Sequence, residues 1–446
     1  AASQLPSTAS LLAWVEPDAT VFALVTTPAD LDETLGIMSS AIKTLDTSPA
    51  HIEAGRHAHE AHAATLRAAP GRHVIEALLA EAYSPNGLGR APLGGDPAAW
   101  TPTALSDFHS AHYGPRGAHL VIVGPEPDST SLDRARSHWG RWTGETKPRP
   151  VEPPASAPPR IRVDRSETDG GRIRVAIRLT LPTPREAAAY DLVAQLLQTP
   201  GTGRIAKAAH AHGIQLTTAR SFVLAPVGPG QLVLALDGDP DDVDRIWSVA
   251  AQALGSLREL PPSPSELVGC RDTLLAADAR RRATPDSYAE RIGRRLLRWP
   301  RESDGADWRN AVATIEADEL GRFARALLHK SLLTAVVTAP RSKGAEDDGF
   351  WAEALAEHLH VLEGGGPVSK AAGRVELRPG LTVVAHPMPQ AGMVAIHVTV
   401  SGGTLAEGAH ELGVGHMAAS LWDSLASKVH VTVNADTVEA TLITNP

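Results

Sequence analysis

The chain repeats itself over a long period. A shift of 215 residues carries Leu105, Phe108, Ala111, Val121 and Pro125 onto Leu320, Phe323, Ala326, Val336 and Pro340 without a gap. Pro28-Ala-Asp-Leu-Asp32 recurs as Pro240-Asp-Asp-Val-Asp244, a shift of 212. Gly171, Ile173, Val175 and Ile177 meet Gly392, Val394, Ile396 and Val398. The closing Asp436…Leu442-Ile-Thr…Pro446 echoes the opening Asp18…Leu24-Val-Thr…Pro28. A unit of roughly 210 residues is far longer than a solenoid repeat and is the size of a whole globular domain. Duplication of a domain is therefore expected, with both chain ends at the same point inside the unit. Residue 1 is Ala, and a processed or fragmentary chain is the expectation.

Composition narrows the class without naming it. The 446 residues are 43% hydrophobic and 21% charged with a formal net charge of -9, values of an ordinary soluble globular protein. Mild acidity spread along the chain argues against a nucleic-acid binder, which needs a clustered basic footprint. No apolar run reaches the roughly 18 residues that read as a bilayer-spanning helix. The single cysteine, Cys270, rules out an intrachain disulfide framework and a Cys-rich zinc site. A cytoplasmic location is expected, the alternative being an exported chain whose signal peptide has been removed. Arg outnumbers Lys, and Ala and Pro are abundant, which points to a GC-rich bacterial genome.

Two seams separate the copies. Lys147-Pro-Arg-Pro-Val-Glu-Pro-Pro-Ala-Ser-Ala-Pro-Pro159 is a stiff, extended linker by composition. The second runs from a polar stretch at 341–348 through a helix-patterned 350–362 to the Gly364-Gly-Gly-Pro367 break. The expected units are 1–145, which lacks its N-terminal part, and 160–340. The segment 373–446 either starts a third repeat or supplies the missing part of the first. Within a unit, β-rich runs such as Thr20–Thr27 and Gln231–Asp237 end in Pro-Asp turns and lead into helices at 30–45 and 242–257. Further helices are expected at 50–67, 73–83 and 103–113, with a strand at 119–123. Hairpin-like pairs are expected at 161–164 with 172–179 and at 375–385 with 393–400. The fold class is α+β, helices layered on a largely antiparallel sheet.

The stretch Asp107-Phe-His-Ser-Ala-His-Tyr-Gly-Pro-Arg-Gly-Ala-His-Leu-Val-Ile-Val-Gly124 resembles the insulinase/pitrilysin family of zinc metallopeptidases. That family shows an F-x-x-x-x-Y-x-P helix end followed by an L-V-I-V-G strand. Ala82-Tyr83…Gly87-Leu-Gly-Arg90…Gly94, Pro200-Gly-Thr-Gly-Arg204 and Glu411-Leu-Gly-Val-Gly-His416 are similar to further family segments in the same order. The resemblance covers nearly the whole chain. It implies homologous α+β domains that form a clamshell around a peptide chamber, in one chain or as paired half-chains.

The family's zinc helix reads H-x-x-E-H, two imidazoles one helical turn apart with the carboxylate that activates the bound water. Here the aligned stretch is His416-Met-Ala-Ala-Ser420, so Ala419 replaces the base and Ser420 the second imidazole. The third family ligand, a Glu on a later helix, falls at Ala61 or His62. A catalytic zinc needs three protein ligands and an open position, which these residues do not supply. Read on its own, Arg56-His-Ala-His-Glu-Ala-His62 puts His59 and His62 on one helical face beside Glu60, and His57, His59 and His62 stand as a separate metal candidate that misses H-E-x-x-H by a position. His410-Glu411 is a second near miss, with Val414 where a His is required. The family's Arg-Gly-x-x-Tyr pair, which orients the substrate carbonyl, is matched by His212-Gly213-Ile-Gln-Leu216 with both functional groups absent. No G-x-S-x-G elbow or P-loop occurs.

The expectation is a degenerate family member without catalytic residues, metal ligands or a cofactor of its own, zinc being expected only in a partner or a missing segment. Its partner would be a zinc-bearing homologous subunit or domain, its substrate a peptide. Two alternatives stand beside it. One is a purely structural or binding relative with no proteolytic partner. The other is an active zinc endopeptidase whose H-x-x-E-H lies outside this chain.

Overall fold

The computed structural model describes residues 5–15, 19–68, 72–83, 95–144, 160–166, 171–179, 183–224, 230–299, 305–328 and 333–340, and strands at 375–378, 381–387, 394–401, 432–433 and 438–439. The first run of elements is β1 (Ser10–Val15), β2 (Ala19–Thr26), α1 (Leu31–Lys43), α2 (Pro49–Ala68), α3 (Arg72–Tyr83), α4 (Pro102–His112), β3 (Ala118–Gly124) and α5 (Asp128–Trp139). The second is β4 (Arg160–Ser166), β5 (Gly171–Arg178), α6 (Pro184–Gln198), α7 (Arg204–Ala211), β6 (Thr218–Leu224), β7 (Gln231–Gly238), α8 (Val243–Glu259), α9 (Pro264–Arg281), α10 (Pro285–Arg298), α11 (Ala306–Thr314), α12 (Ala317–Leu327) and β8 (Leu333–Pro340). Then come β9 (Val375–Arg378), β10 (Leu381–Pro387), β11 (Val394–Ser401) and the short pair β12 (Thr432–Val433) and β13 (Val438–Glu439). The architecture is α+β.

The second sheet has the order β4-β8-β5-β7-β6 and the first β1-β2-β11-β3-β10-β9. Read from β10, the first sheet runs β10-β3-β11-β2-β1, and each step matches one of the second. β10 is parallel to β3 as β4 is to β8. The remaining neighbours along both five-strand runs are antiparallel. The helix–strand pairs α4–β3 and α12–β8 therefore occupy equivalent places. The difference is chain order. In the second sheet β4 and β5, the strands that flank β8, come first in the chain, whereas in the first sheet their counterparts β10 and β11 come from residues 381–401. Those strands pair into the first sheet; they do not form a sheet of their own.

One expectation is corrected. The segments 161–164 and 172–179 are not hairpin partners, because β8 lies between them and pairs with both. In the same way β3 separates β10 from β11, and the 375–385 stretch is itself two antiparallel strands, β9 and β10. Alternating apolar residues fix which segments are strands, but not whether a third strand comes in between. The physical reason for the insertion is burial. Leu333, Ala335, Val336 and Val337 of β8 are all buried, which an apolar strand achieves only inside a sheet covered on both faces.

Each sheet gets that double cover by borrowing. The inner face of the second sheet packs Ile173, Val175, Leu234 and Val337 against α6 and α8, with Trp247 at the centre. Its outer face takes Val74, Ala77 and Leu78 of α3, a helix from the first run, against Ala176, Val233 and Val336. The first sheet packs Phe22, Leu24, Leu120 and Ile122 against Leu35, Met38, Phe108 and Trp139. Its other face takes Tyr288, Ala289, Ile292 and Leu296 of α10 against Val121 and Val123. Helix α10 is buried on its polar side too. Arg291 and Arg295 each lie 5.2 Å from the Trp308 ring, within cation–π range. Asp278 of α9 accepts from Arg282 Nε at 3.0 Å, pairs with Arg291 and lies 3.8 Å from Arg309.

Candidate functional site

The clearest polar constellation outside that seam lies where α6 ends beside β6. Helix α6 begins with a reciprocal capping box: Glu186 N–H donates to Thr183 Oγ1 at 3.2 Å, and Thr183 N–H donates to Glu186 Oε2 at 2.8 Å. Its last turn brings Gln195, Gln198 and Thr199 to one face, at i, i+3 and i+4. Thr199 Oγ1 donates to the Gln195 carbonyl at 2.7 Å. Gln195 Nε2 reaches Thr199 Oγ1 at 3.4 Å, and Gln198 Nε2 reaches Gln195 Oε1 at 3.3 Å. That chain of amides leaves Gln198 Oε1 facing the sheet, where it accepts from the backbone N–H of Ser221 at 3.2 Å.

The return from α6 to α7 depends on two glycines. Gly201 has φ of 72°, in the left-handed region that glycine enters without cost. Gly203 lies so close to the end of α6 that a Cβ would sit 2.6 Å from the Leu197 carbonyl oxygen. Beneath the loop, burial pushes the Cys270 thiol up to about 11, with Thr199 beside it working the other way. A thiol so held is inert as a nucleophile at neutral pH. At the rim, Glu266 accepts from Lys207 Nζ at 2.7 Å and lies 3.2 Å from Arg204. Partial burial opposes its charge, but the Lys207 and Ser263 hydrogen bonds and the nearby Arg204 outweigh it and hold the carboxyl at about 2.

The offset that aligns Gly171 with Gly392 places His416, Ala419 and Ser420 on Gln195, Gln198 and Thr199. The H-x-x-E-H register of the second unit is thus filled by two amides and a hydroxyl, each engaged with its neighbours. Neutral amides are poor zinc ligands and cannot act as a general base. Reading the sequence for metal motifs missed this face, although carrying the repeat offset from strand into helix would have found it.

The other sequence candidates are dispersed or fall outside the described residues. His59 is buried, edge-on to Trp100 with ring centroids 4.8 Å apart. His57 projects outward to Glu53, 3.3 Å away, and His62 is half-buried on the next turn. The helix thus splits His57 from His59, and no group of three or more His, Cys, Asp or Glu among the described residues could hold a metal. His212 and Gly213 form the α7 cap, Gly213 with φ of 63°. His410, Glu411, Val414, His416, Ala419 and Ser420 lie outside the described residues, as do both linker seams. No described helix is long and apolar enough to cross a membrane.

Comparison with known families gives a match over part of the chain. Residues 99–274 match the family profile described as the Peptidase M16 inactive domain. Over that stretch the chain is similar to the M16, or insulinase/pitrilysin, family. The fold agrees. A protease from Helicobacter pylori superposes with a TM-score of 0.65 at 15% identity, covering 74% of this chain and 82% of that one. A peptidase M16 inactive domain from Pseudomonas fluorescens gives 0.65 at 14%, covering 76% and 82%. A chain of complex III2 from Candida albicans gives 0.64 at 14%, covering 79% and 87%. At such identities these likenesses establish the fold alone. The search of curated proteins finds no match.

Proposed function

We propose that this chain is an M16-family member and the non-zinc half of a metallopeptidase, shaping a peptide chamber that a zinc-bearing homologue completes. The observation that carries the reading is the α6 terminus, where Gln195, Gln198 and Thr199 occupy the positions of two zinc imidazoles and their base. The match to an inactive M16 domain supports it. Substrate would be held by main-chain pairing. Strands β1 and β6 end their sheets among the described residues, and an edge strand can take an extended peptide through backbone hydrogen bonds without any catalytic side chain.

The test is reconstitution. The purified chain with a fluorogenic peptide should show no cleavage, and adding a zinc-bearing M16 homologue should produce cleavage that a chelator removes. Cleavage by the chain alone that the chelator abolishes would overturn the reading in favour of a zinc site carried elsewhere in the protein. A second reading, a structural relative without a proteolytic partner, draws support from the likeness to the complex III2 chain. It predicts stable assembly with a partner and no gain of peptidase activity.

A further inference from the structure

We propose that Gln198 is a displaceable cap on the β6 edge: a peptide adding to that strand must replace the Gln198 carbonyl oxygen with one of its own. The inference rests on the peptide-docking reading above and names how that site is regulated. In an antiparallel edge strand every second residue turns its N–H and C=O away from the ladder, where they are open to another strand. Ser221 is such a residue. It pairs in register with Leu234 of β7, yet its N–H donates to a side chain of α6.

The cap is held in place. Gln198 Nε2 is engaged by Gln195 Oε1, and Gln195 is itself buried and tied to Thr199. The amide therefore presents oxygen, and not nitrogen, to the strand. Beside it the Ser221 side chain is 0% exposed and its Oγ has no hydrogen-bond partner among the described residues. Away from the cap, Ala219 and Arg220 are exposed, and Phe222 is half-buried beneath the Arg220 guanidinium at 6.0 Å. One polar contact thus stands beside the exposed part of the strand. A docking peptide carbonyl would make the same bond to the Ser221 N–H, so the exchange conserves hydrogen bonds. Its penalty is the release of the Gln198 amide to solvent or to the peptide.

The test uses the full chain and a fluorescein-labelled, unstructured Ser/Thr/Val decapeptide read by anisotropy. Removing the cap with Gln198→Leu should tighten binding roughly 3- to 10-fold, the range of one ordinary net hydrogen bond. Gln198→Glu, whose charged acceptor grips the Ser221 N–H harder, should weaken it by a similar factor. The same peptide N-methylated at alternate residues should bind neither variant. Hydrogen exchange gives an independent readout: the Ser221 amide should lose protection in Gln198→Leu and keep it in Gln198→Glu. Binding that is indifferent to residue 198, or a Ser221 amide equally protected in both variants, would overturn the cap alone. Absence of peptide binding by the wild type and every variant would overturn the docking reading and the cap together.

Discussion

Two aspartates of the second unit, Asp191 half-buried and Asp278 fully buried, are held differently, and they should respond unequally to loss of charge. Burial pushes the Asp191 carboxyl up, while a hydrogen bond from Trp308 Nε1 at 2.8 Å and nearby arginines oppose that shift. An amide accepts the Trp308 bond equally well, so Asp191→Asn should change stability by less than about 1 kcal/mol. Asp278 is fully buried among Arg282, Arg291 and Arg309. Asp278→Asn leaves those guanidiniums without their counter-charge and should cost about 3–5 kcal/mol, read from urea unfolding. Glu266 supplies a pH signature. Its folded pKa of about 2 lies below the ordinary 4.5, so its contribution is complete above 4.5 and is lost as pH falls toward 2. Glu266→Gln should flatten the stability profile in that window and lower stability near neutrality, where the wild-type contribution is complete.

At the scale of elements, the capping box of α6 and the shared helix α10 carry separable predictions. Thr183→Ala removes the side-chain half of the box and should lower stability by about 1 kcal/mol in thermal melts. Ile292→Ala opens a cavity between α10 and the first sheet and should cost about 2–5 kcal/mol. Amide exchange should speed up in β3, far away in sequence, before it does in β7. Much of this level was legible in the sequence. The apolar runs at 20–27 and 231–237, with the helices after them, fall within two residues of the observed strands and helix starts, because those strands are largely buried and both helices follow turns that carry Pro and Asp, Pro28-Ala-Asp30 and Pro240-Asp241. What was not legible depends on distant partners. Nothing near Arg172 announces that β8 will separate β5 from β4. Nothing near His59 announces Trp100, which makes that histidine a packed ring and not a ligand. Gln198 carries no motif, since an amide gains a role only from the strand that the fold brings beside it.

For the whole molecule, we read the two matching strand orders as copies of one unit joined by exchange of α3 and α10. The first copy depends on β11, which pairs with β2 on one side and β3 on the other. A proline in a central strand removes a ladder hydrogen bond. Val398→Pro should therefore release exchange protection in β2 and β3 and leave β5 and β7 protected. An unchanged exchange pattern in β2 and β3 would show that the first sheet is held together without that strand.

The same arrangement sets a timetable for synthesis. Every strand of the second sheet lies between residues 160 and 340, but β2 is complete at residue 26 and its neighbour β11 begins at residue 394. At about 5–20 residues per second, a ribosome needs roughly 20–75 s to deliver the missing strand. From the completion of β3 at residue 124 onward, the nascent chain carries two apolar strands, β2 and β3, that each lack their β11 neighbour, a state prone to capture by chaperones or by another nascent chain. The half that leaves the ribosome first is thus the last to fold. Chains arrested just after residue 340 has emerged should yield a protease-resistant second unit with an N-terminal portion still open to cleavage.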